Sequence, residues 1–537
     1  MELLRELLDL QHQHGYLEQD HLEDLARRRG VPRYRLEGLV SFYSHFRRTP
    51  PPKRHIAVCR DVVCRMHGCE DLRGQLEQLA ESDPGLEVVE VSCLGRCDHA
   101  PAVAVNDRPA APPSPASSVD QLLEDDTVDW LQRPEGRNWQ ADPYPGPSDH
   151  YGTLKQLAAD LPTLRDTCVR RLGDAGLKGM GGAGFPTARK WELVAAESAD
   201  TKYVICNADE SEPGTFKDRM LLATLPHLVI EGMVLAGLSV GARRGIIFLR
   251  HEYSLEQQAL EEALQLATQQ GVLGPDAAGS GRAFEIEIFV SPGGYILGEE
   301  TALLEALEDR RGEPRNKPPY PGQVGLFGQP TLINNVETFA LAVTIIARGA
   351  DWWRLQGADG FEGLKFVSIS GDVNQPGVHE IPVGTTVAEL IESAGGVVGG
   401  KSVKAFLPGG ASSRFLPGER LDTPLDFESI AAAGSMLGTG AVIVAAEDRD
   451  LFDLATSLVR FFRNESCGKC VPCRIGSHHA VTLLDRVADG SASPGSLDEL
   501  TPLGQTLEQT SICGLGQVAL VPILSMLEHF PEEVPGA

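Results

Sequence analysis

The sequence predicts a multidomain α/β protein. With 537 residues the chain exceeds what one hydrophobic core supports, so several domains are expected. Short apolar runs typical of strands alternate with segments whose apolar residues recur at helical spacing. Proline-rich stretches separate these blocks, as linkers and turns do.

The first block, residues 1–107, predicts a helical segment followed by a compact α/β module. Apolar residues recur at helical spacing over 3–46, with a break at Gly30-Val31-Pro32. An amphipathic helix then separates the first two of three strand-like runs. These runs are 56–58, 86–91 and 103–105.

Residues 108–150 are rich in Pro, Ala, Ser and Asp and predict a linker lying on the surface. Its prolines include Pro109, Pro112, Pro113, Pro115, Pro143, Pro145 and Pro147. From 151 to 350 helices alternate with short strands, as in an α/β layer. Residues 351–447 are strand-rich with Gly/Pro turns, and 448–537 are helical.

The acidic composition and the hydropathy limit the functional class. A net charge of −27 argues against nucleic acid as a partner, because a phosphate backbone needs a basic footprint. No apolar run approaches the ~20 residues that a membrane helix requires. The N-terminus is charged rather than signal-like. We therefore expect a cytoplasmic protein without direct membrane insertion, peripheral to the inner membrane only through partner subunits.

Eight of the eleven cysteines fall in two groups at ligand spacing. Cys467, Cys470 and Cys473 form a C-x2-C-x2-C run, and Cys513 follows forty residues later. Three thiolates on one loop and a fourth from afar favour a [4Fe–4S] cluster. A zinc site is the alternative, although zinc ribbons usually present two separated pairs.

The other group consists of two pairs, Cys59-x4-Cys64 and Cys93-x3-Cys97. Two irons that each take two thiolates fit this arrangement, so a [2Fe–2S] centre is predicted. Spacing alone leaves zinc open. Cys69 opens an amphipathic helix and is interpreted as buried packing rather than a ligand.

A glycine-rich loop at 179–184 formally matches G-x-G-x-x-G through Gly179, Gly181, Gly182 and Gly184. A helix precedes it instead of a strand, so it is no dinucleotide fingerprint by itself. Clustered glycines still let backbone N–H groups approach a planar or phosphorylated ligand. Phe185 and Lys190 then offer an aromatic face and a positive charge.

Acidic loops predict a second part of the same site. Residues 207–218 hold four carboxylates directly after a strand, and 293–301 repeat the pattern of strand end, glycine turn and carboxylate pair. Residues 315–321 and Asn334-Asn335 add cationic, aromatic and amide groups. A solvated acidic surface is the alternative for each loop alone.

Several of these motifs together carry a resemblance to a known family. They are Gly176–Thr187, Asn207–Arg219, Gly298–Thr301, Lys317-Pro318-Pro319, Asn334–Thr338 and Glu465–Cys470. From about residue 150 to its end, the chain resembles the flavoprotein subunit of respiratory complex I, NAD-dependent formate dehydrogenases and NAD-linked hydrogenases. Ser41-Phe42-Tyr43 and Cys93–Pro101 resemble the smaller thioredoxin-like [2Fe–2S] subunit, fused in front.

The resemblance implies a fold for each block. It implies a thioredoxin-like N-terminal domain within 1–107 and a Rossmann-like FMN/NADH domain over 151–350. A ubiquitin-like β-grasp domain of the SLBB type would occupy 351–447 as a structural spacer. A helical bundle over 448–537 would hold the [4Fe–4S] cluster.

It also implies roles residue by residue, with no catalytic side-chain acid or base. FMN would be held by Gly181, Asn207, Asp209, Glu210, Tyr295, Gly298, Glu299, Asn334 and Asn335. NADH would be held by Phe185, Glu212, Glu300, Lys317 and Tyr320. Gly179, Gly182 and Lys190 complete the cofactor-binding set. Leu193 stands where the family often has an aromatic.

The expected function is that of a diaphorase subunit, which exchanges hydride between NAD(H) and FMN and single electrons with iron–sulfur clusters. Its expected partners are an iron–sulfur subunit and a formate dehydrogenase or quinone-reducing module. A bidirectional hydrogenase module is the alternative complex. A non-catalytic, zinc-stabilised interaction protein is the alternative of a different class.

Overall fold

The structure is a computed structural model that describes residues 1–113, 118–493 and 495–536. Its first helices confirm the helical pattern of residues 3–46. Buried Leu3, Leu4 and Leu7 form the apolar face of the first helix, and Gly15 and Gly30 end the first two helices with positive φ. These helices are α1 (Glu2–His14), α2 (Gln19–Arg29) and α3 (Arg33–Val40).

A four-stranded sheet follows, in the order β2-β1-β3-β4. Strands β1 and β2 pair in parallel, whereas β3 is antiparallel to both β1 and β4. The strands expected at 56–58, 86–91 and 103–105 are confirmed. The elements are β1 (Arg54–Cys59), α4 (Val62–Met66), α5 (Cys69–Ala80), β2 (Leu86–Val91), β3 (Val103–Val105) and β4 (Arg108–Ala110).

The segment predicted as a linker begins inside this sheet, because β4 extends it beyond residue 107. Leu122 and Val128 lie in the same apolar core. Farther along, Trp139 is buried, and its Nε1 donates to Thr224 Oγ1 at 2.9 Å. Pro115 lies outside the described residues. The segment therefore packs on two domains over much of its length.

The next domain has a parallel sheet in the order β7-β6-β5-β8. All four carboxyl ends point to one edge, where open α/β sheets bind ligands. Its elements are α6 (Gly152–Leu157), α7 (Leu161–Asp174), α8 (Thr187–Ala196), β5 (Tyr203–Ala208), α9 (Lys217–Thr224), α10 (Pro226–Val240), β6 (Arg244–Leu249), α11 (Ser254–Gln269), β7 (Glu285–Val290), α12 (Glu300–Leu307), β8 (Thr331–Asn335), α13 (Val336–Arg348) and α14 (Ala350–Arg354).

A five-stranded sheet then forms in the order β10-β9-β13-β11-β12, with β9 and β13 parallel at its centre. This agrees with the strand-rich pattern of the sequence. Its elements are β9 (Leu364–Gly371), β10 (Gly377–Pro382), α15 (Val387–Ser393), β11 (Val403–Leu407), β12 (Leu416–Pro417), α16 (Phe427–Ala432) and β13 (Ala441–Ala446).

The last block is helical, as predicted. Helix α17 packs on both α18 and α21, and a strongly amphipathic sequence buries Phe452, Phe461 and Phe462. The elements are α17 (Leu451–Asn464), α18 (Val471–Ala488), α19 (Leu500–Thr510), α20 (Gly514–Val518) and α21 (Val521–His529).

Membrane-span criteria give one partial match in the described residues. No single helix there combines the length and apolarity of a membrane span. The pair Lys217–Thr224 and Pro226–Val240 meets the criteria only when taken together, across a bend of 93°.

A buried ionic cluster joins the parallel-sheet domain to the five-stranded sheet. Lys217 Nζ lies 2.9 Å and Lys365 Nζ 3.0 Å from Glu337 Oε2, and all three side chains are almost fully buried. Burial alone would raise the pKa of Glu337, but the two ammonium groups lower it. Glu337 Oε1 also accepts from the backbone of Phe366 at 2.9 Å. The carboxylate therefore compensates two buried cations at once.

We expect Glu337→Gln to destabilise the protein by about 3–5 kcal/mol, because two buried ammonium groups lose their shared counterion. The measurement is the midpoint of urea and thermal unfolding. Asp448→Asn, which removes the exposed pair between Lys401 and Asp448, is the matched control and should leave the midpoint unchanged. Equal midpoints for the two variants would contradict this role of Glu337.

Candidate functional site

The glycine-rich loop closes as a tight turn at the edge of the parallel sheet. Gly179 N donates to Phe185 O at 2.8 Å, and Gly182 has φ +115°. A Cβ at Gly181 would lie 3.1 Å from Asn335 Cβ, so the loop lies against the end of β8 with little room for a side chain. Such a turn exposes backbone N–H groups to a ligand.

The loop after β5 brings Asn207 and Asp209 to the same edge. Asn207 Nδ2 donates to Gly298 O at 2.8 Å, and a Cβ at Gly298 would lie 3.2 Å from Asp209 O. Ser211 and Ser291 hydroxyls donate to Asp209 at 2.5 and 3.2 Å. Burial raises the pKa of Asp209 to about 7. The predicted residues 207, 209 and 298 are thus neighbours.

Three predicted polar residues already hold helix starts. Glu210 accepts from the backbone N–H groups of Asp218 and Arg219 at 2.8 and 3.0 Å, at the beginning of α9. Burial raises the pKa of Glu210 to about 7. Glu299 caps α12, and Asn335 caps α13. These side chains therefore position the loops through contacts within the protein itself.

Glu212 is bound by two partners far apart in sequence. Tyr295 Oη donates to Glu212 Oε2 at 2.6 Å, and Ser412 N donates to Oε1 at 2.6 Å. Burial raises the pKa of Glu212. Ser412 belongs to the five-stranded domain, so that domain contributes directly to the site and is more than the spacer expected from sequence. The glycine turn at 408–410 was the signal in the sequence for this contact.

The outer part of the site carries charge and exposed rings. Lys317 Nζ lies 2.9 Å from both Glu299 Oε1 and Glu300 Oε1. Burial alone would lower the pKa of Lys317, but these carboxylates raise it. Phe185 and Tyr320 are 43% and 57% exposed, so part of each ring is open to stack on a planar ligand.

Lys190 and Asn334 lie on the inner side of the same region. Lys190 Nζ donates to Ile333 O at 3.1 Å, and burial lowers the pKa of Lys190. With its amide oriented to satisfy both neighbours, Asn334 accepts from Trp191 Nε1 at 3.1 Å and donates to Ile333 O. Both residues thus tie α8 to β8.

The first cysteine group converges at one end of the β1–β2 pair. Cys93 Sγ lies 4.0 Å from Cys97 Sγ, and Cys64 Sγ accepts from Ala102 N at 3.3 Å. The neighbouring Cys59 thiol and burial raise the pKa of Cys64. Cys69 is buried in the same apolar core as Cys59 and Cys64.

Within this group, Cys93 is surrounded by a positive charge and by hydrogen-bond donors. Hydrogen bonding with Cys97, assisted by the Arg250 guanidinium, lowers the pKa of Cys93 to about 7. Arg250 also donates to Cys93 O at 2.5 Å, and Gly95 N donates to Cys93 Sγ at 3.3 Å. Four buried thiols with donors aimed at their sulfurs fit an iron–sulfur centre.

The second cysteine group lies between helix starts. Cys470 precedes α18 and Cys513 precedes α20. A Cβ at Gly516 would lie 2.9 Å from Cys473 Cβ, so only glycine lets these two chain segments approach. Burial raises the pKa of Cys513 to about 12, and Cys467 is among the charges that act on it. The four predicted cysteines are therefore brought to one place.

Glu465 links the redox segments and was missed as a site residue, although it sits two residues before Cys467. Its Oε2 accepts from Tyr295 N at 2.9 Å, and its Oε1 accepts from Ser92 Oγ. One carboxylate therefore contacts the loop beside Glu212 and the strand end beside Cys93 while leading into the C-x2-C-x2-C run.

Four family models match the chain. They are thioredoxin-like [2Fe–2S] ferredoxin over residues 1–126, the Nuo51 FMN-binding domain over 172–344, the SLBB domain over 366–415 and the NADH-ubiquinone oxidoreductase-F iron–sulfur binding region over 453–536.

Relatives match over most of the chain. The F 2 subunit of NADH-quinone oxidoreductase in Rhizobium meliloti is 42% identical over 369 residues, which are 68% of this chain and 88% of that protein. The HndC subunit of NADP-reducing hydrogenase in Solidesulfovibrio fructosivorans is 42% identical over 384 residues, 71% of this chain and 78% of that protein.

A solved structure matches the chain along nearly its full length. A chain of NAD+-reducing [NiFe]-hydrogenase in the H2-reduced state superimposes with a TM-score of 0.87 at 32% identity, covering 98% of this chain and 92% of that chain. Identity and coverage at this level place the chain in the family of NADH-quinone oxidoreductase F subunits, as a diaphorase-type flavoprotein with FMN, [4Fe–4S] and [2Fe–2S] domains.

Proposed function

We propose that this chain exchanges hydride between NAD(H) and FMN and transfers single electrons through its [4Fe–4S] centre to a partner subunit. The observation that carries the proposal is the Glu465 carboxylate, which joins the glycine loop at Tyr295 to the segment that enters the Cys467–Cys473 run. A flavin bound at the carboxyl ends of β5 and β8 would therefore lie beside the cysteine group.

FMN would be held mainly by backbone and amide groups. The tight turn at Gly181 and Gly182 offers N–H donors, and Gly298 lies so close to Asp209 O that a side chain there would crowd the backbone. Asn207, Asp209, Tyr295 and Asn334 would bind the flavin and its ribityl chain. Gly179, Glu210, Glu299 and Asn335 would act by positioning these loops.

NAD(H) would occupy the outer part of the site. The exposed rings of Phe185 and Tyr320 would stack on adenine, and carboxylates accept hydrogen bonds from ribose hydroxyls. Glu300 would do so at the surface, held by Lys317, and Glu212 deeper in the site. Leu193, 43% exposed, would extend the apolar contact.

Bound FMN supplies the conversion between a two-electron hydride and single electrons. The residues of the chain bind, orient and exclude water, because hydride transfer itself needs no side-chain acid or base. Tyr295 and Ser412 hold Glu212 in one place through the hydrogen bonds described above. The cysteines Cys59, Cys64, Cys93 and Cys97 would ligate the [2Fe–2S] cluster, and Cys467, Cys470, Cys473 and Cys513 the [4Fe–4S] cluster.

The finer domain assignments are part of this proposal. A thioredoxin-like domain that extends beyond residue 107 through β4, a connecting segment over the rest of 108–150 and a Rossmann-like domain over 151–350 fit the first two sheets. The parallel β9–β13 pair with α15 fits a β-grasp domain over 351–447. The five α-helices described within 448–493 and 495–536 fit a bundle over 448–537 that holds the [4Fe–4S] cluster.

The complex is proposed to resemble an NAD-linked hydrogenase. Support comes from coverage: the hydrogenase chain matches 98% of this chain, fused N-terminal domain included, whereas the Rhizobium meliloti relative covers 68%. Formate dehydrogenase and quinone-reducing modules, which the sequence favoured, are now the alternatives. Co-purification of the native complex, with NAD reduction assayed on hydrogen, formate and quinol, distinguishes all three.

The diaphorase activity is tested by NADH-dependent ferricyanide reduction on the purified chain with its FMN and iron quantified. Turnover that follows FMN content is the expected result, because the flavin site lies wholly within this chain. Fully loaded protein without turnover would refute the function.

Glu300→Ala should raise the KM for NADH at least about ten-fold while FMN content stays unchanged, because a ribose-binding carboxylate is lost from the outer site. Glu261→Ala, an exposed carboxylate on α11, is the control. An unchanged KM would remove Glu300 from the NADH site.

Cys513→Ser should abolish the paramagnetic signal of the reduced [4Fe–4S] cluster, since serine is a poor fourth ligand. The measurement is low-temperature electron paramagnetic resonance of the reduced protein. Cys168→Ser, a buried thiol on α7, should leave the signal intact. A signal that persists in Cys513→Ser would place the fourth ligand elsewhere.

The exit surface is proposed at the start of α18, where Val471 and Ile475 are 62% and 54% exposed beside Cys470. Ile475→Asp should weaken assembly with an iron–sulfur partner protein and leave NADH:ferricyanide turnover unchanged, because it adds charge outside the flavin site. Val398→Asp, also at an exposed apolar position, is the control. Normal assembly of Ile475→Asp would exclude this surface.

A further inference from the structure

The structure places together two histidines and an aspartate that are not among the residues assigned to the flavin and cysteine sites. Asp142 and His150 lie on the connecting segment, and His227 lies at the start of α10. One ligand atom from each residue falls within 4.8 Å of the other two. The imidazoles of His150 and His227 stack with centroids 3.6 Å apart and planes tilted by 4°.

The hydrogen bonds of this group are incomplete. His227 is 6% exposed, and its Nε2 is buried without a hydrogen-bond partner among the described residues. That nitrogen lies 3.2 Å from Asp142 Oδ2, while Asp142 Oδ1 accepts from Tyr144 N at 3.0 Å. The buried ring nitrogen and the carboxylate oxygen thus lie at ion-pair distance, although the ring is not oriented for a hydrogen bond between them.

We propose that Asp142, His150 and His227 bind a divalent transition-metal ion of the zinc type. Two imidazoles and one carboxylate, with water in a fourth position, are a ligand set that Zn²⁺ takes. Tetrahedral ligands at about 2.0–2.1 Å from the ion lie roughly 3.3 Å apart, so small side-chain movements close the site. Burial, with His227 nearby, lowers the pKa of His150 to about 4, which keeps its ring in the neutral form that binds metals.

The position of the site gives the metal a structural role. It would clip the connecting segment to the first turn of α10, one of the fully buried helices beneath the parallel sheet. The positive end of a helix dipole disfavours a cation there, so the charge of Asp142 is needed to hold it. Nearby Tyr144 donates to Glu231 of α10 and keeps the segment in register without being a ligand.

The test uses tag-free holoprotein, treated with chelator, loaded with Zn²⁺ and freed of excess metal. Zinc, iron and FMN are then quantified on each sample. About one zinc per chain is expected for the wild type, and at least about a ten-fold lower zinc affinity for His150→Gln and Asp142→Asn. His150 is half-exposed, so its variant should fold, and unchanged iron and FMN contents verify this.

His379→Gln, a half-buried histidine in another domain, is the matched control and should bind zinc like the wild type. Zinc should also slow proteolysis within 118–150 in the wild type and in His379→Gln, but not in His150→Gln. Equal zinc binding by the wild type and both ligand variants, or no zinc in the wild type, would overturn the proposal.

Discussion

The partly buried carboxylate of Glu465 is the contact on which the arrangement of the redox segments depends. It accepts from Tyr295 N in the flavin loop and from Ser92 Oγ at the end of β2, next to Cys93. A carboxylate in such a place must keep donors on both oxygens, because an unsatisfied buried charge costs several kcal/mol. If either loop shifted, its hydrogen bond to Glu465 would therefore break.

A second set of buried charges fixes the [2Fe–2S] loop on the parallel-sheet domain. Arg96 forms two hydrogen bonds, of 3.1 and 3.0 Å, to the fully buried Glu256. Arg219 donates to Gly95 O at 2.9 Å, and Tyr253 Oη donates to Glu210 Oε2 at 2.9 Å. Glu210 in turn holds the start of α9, so the cysteine loop and the flavin loop share one network. Such networks specify a geometry more than they add stability.

How far the sequence predicted this site depends on the distance between partners along the chain. The C-x2-C-x2-C run, the glycine loop and the strand ends were identified because each has a local pattern. The contact between Glu212 and Ser412 was not, since it joins residues 200 positions apart and the glycine turn at 408–410 marks a turn without showing what the turn contacts. Packing of Trp139 against Thr224 was missed for the same reason: proline-rich composition predicts a surface path, and only the tertiary structure shows what it crosses.

The cost of burying charges also bears on the fusion of the N-terminal domain to the rest of the chain. Its contacts with the parallel-sheet domain, through Arg96 and Arg219, are buried and ionic, and two separate chains would have to desolvate those groups each time they met. Joining the two domains by about forty residues makes their association intramolecular. A modest attraction between them is then enough to keep them together. The connecting segment must therefore do more than span the distance between the two domains. It must follow one path over α10 so that the two domains meet in register. Anchors along that path, such as Trp139 on Thr224 and Tyr144 on Glu231, restrict it to that path.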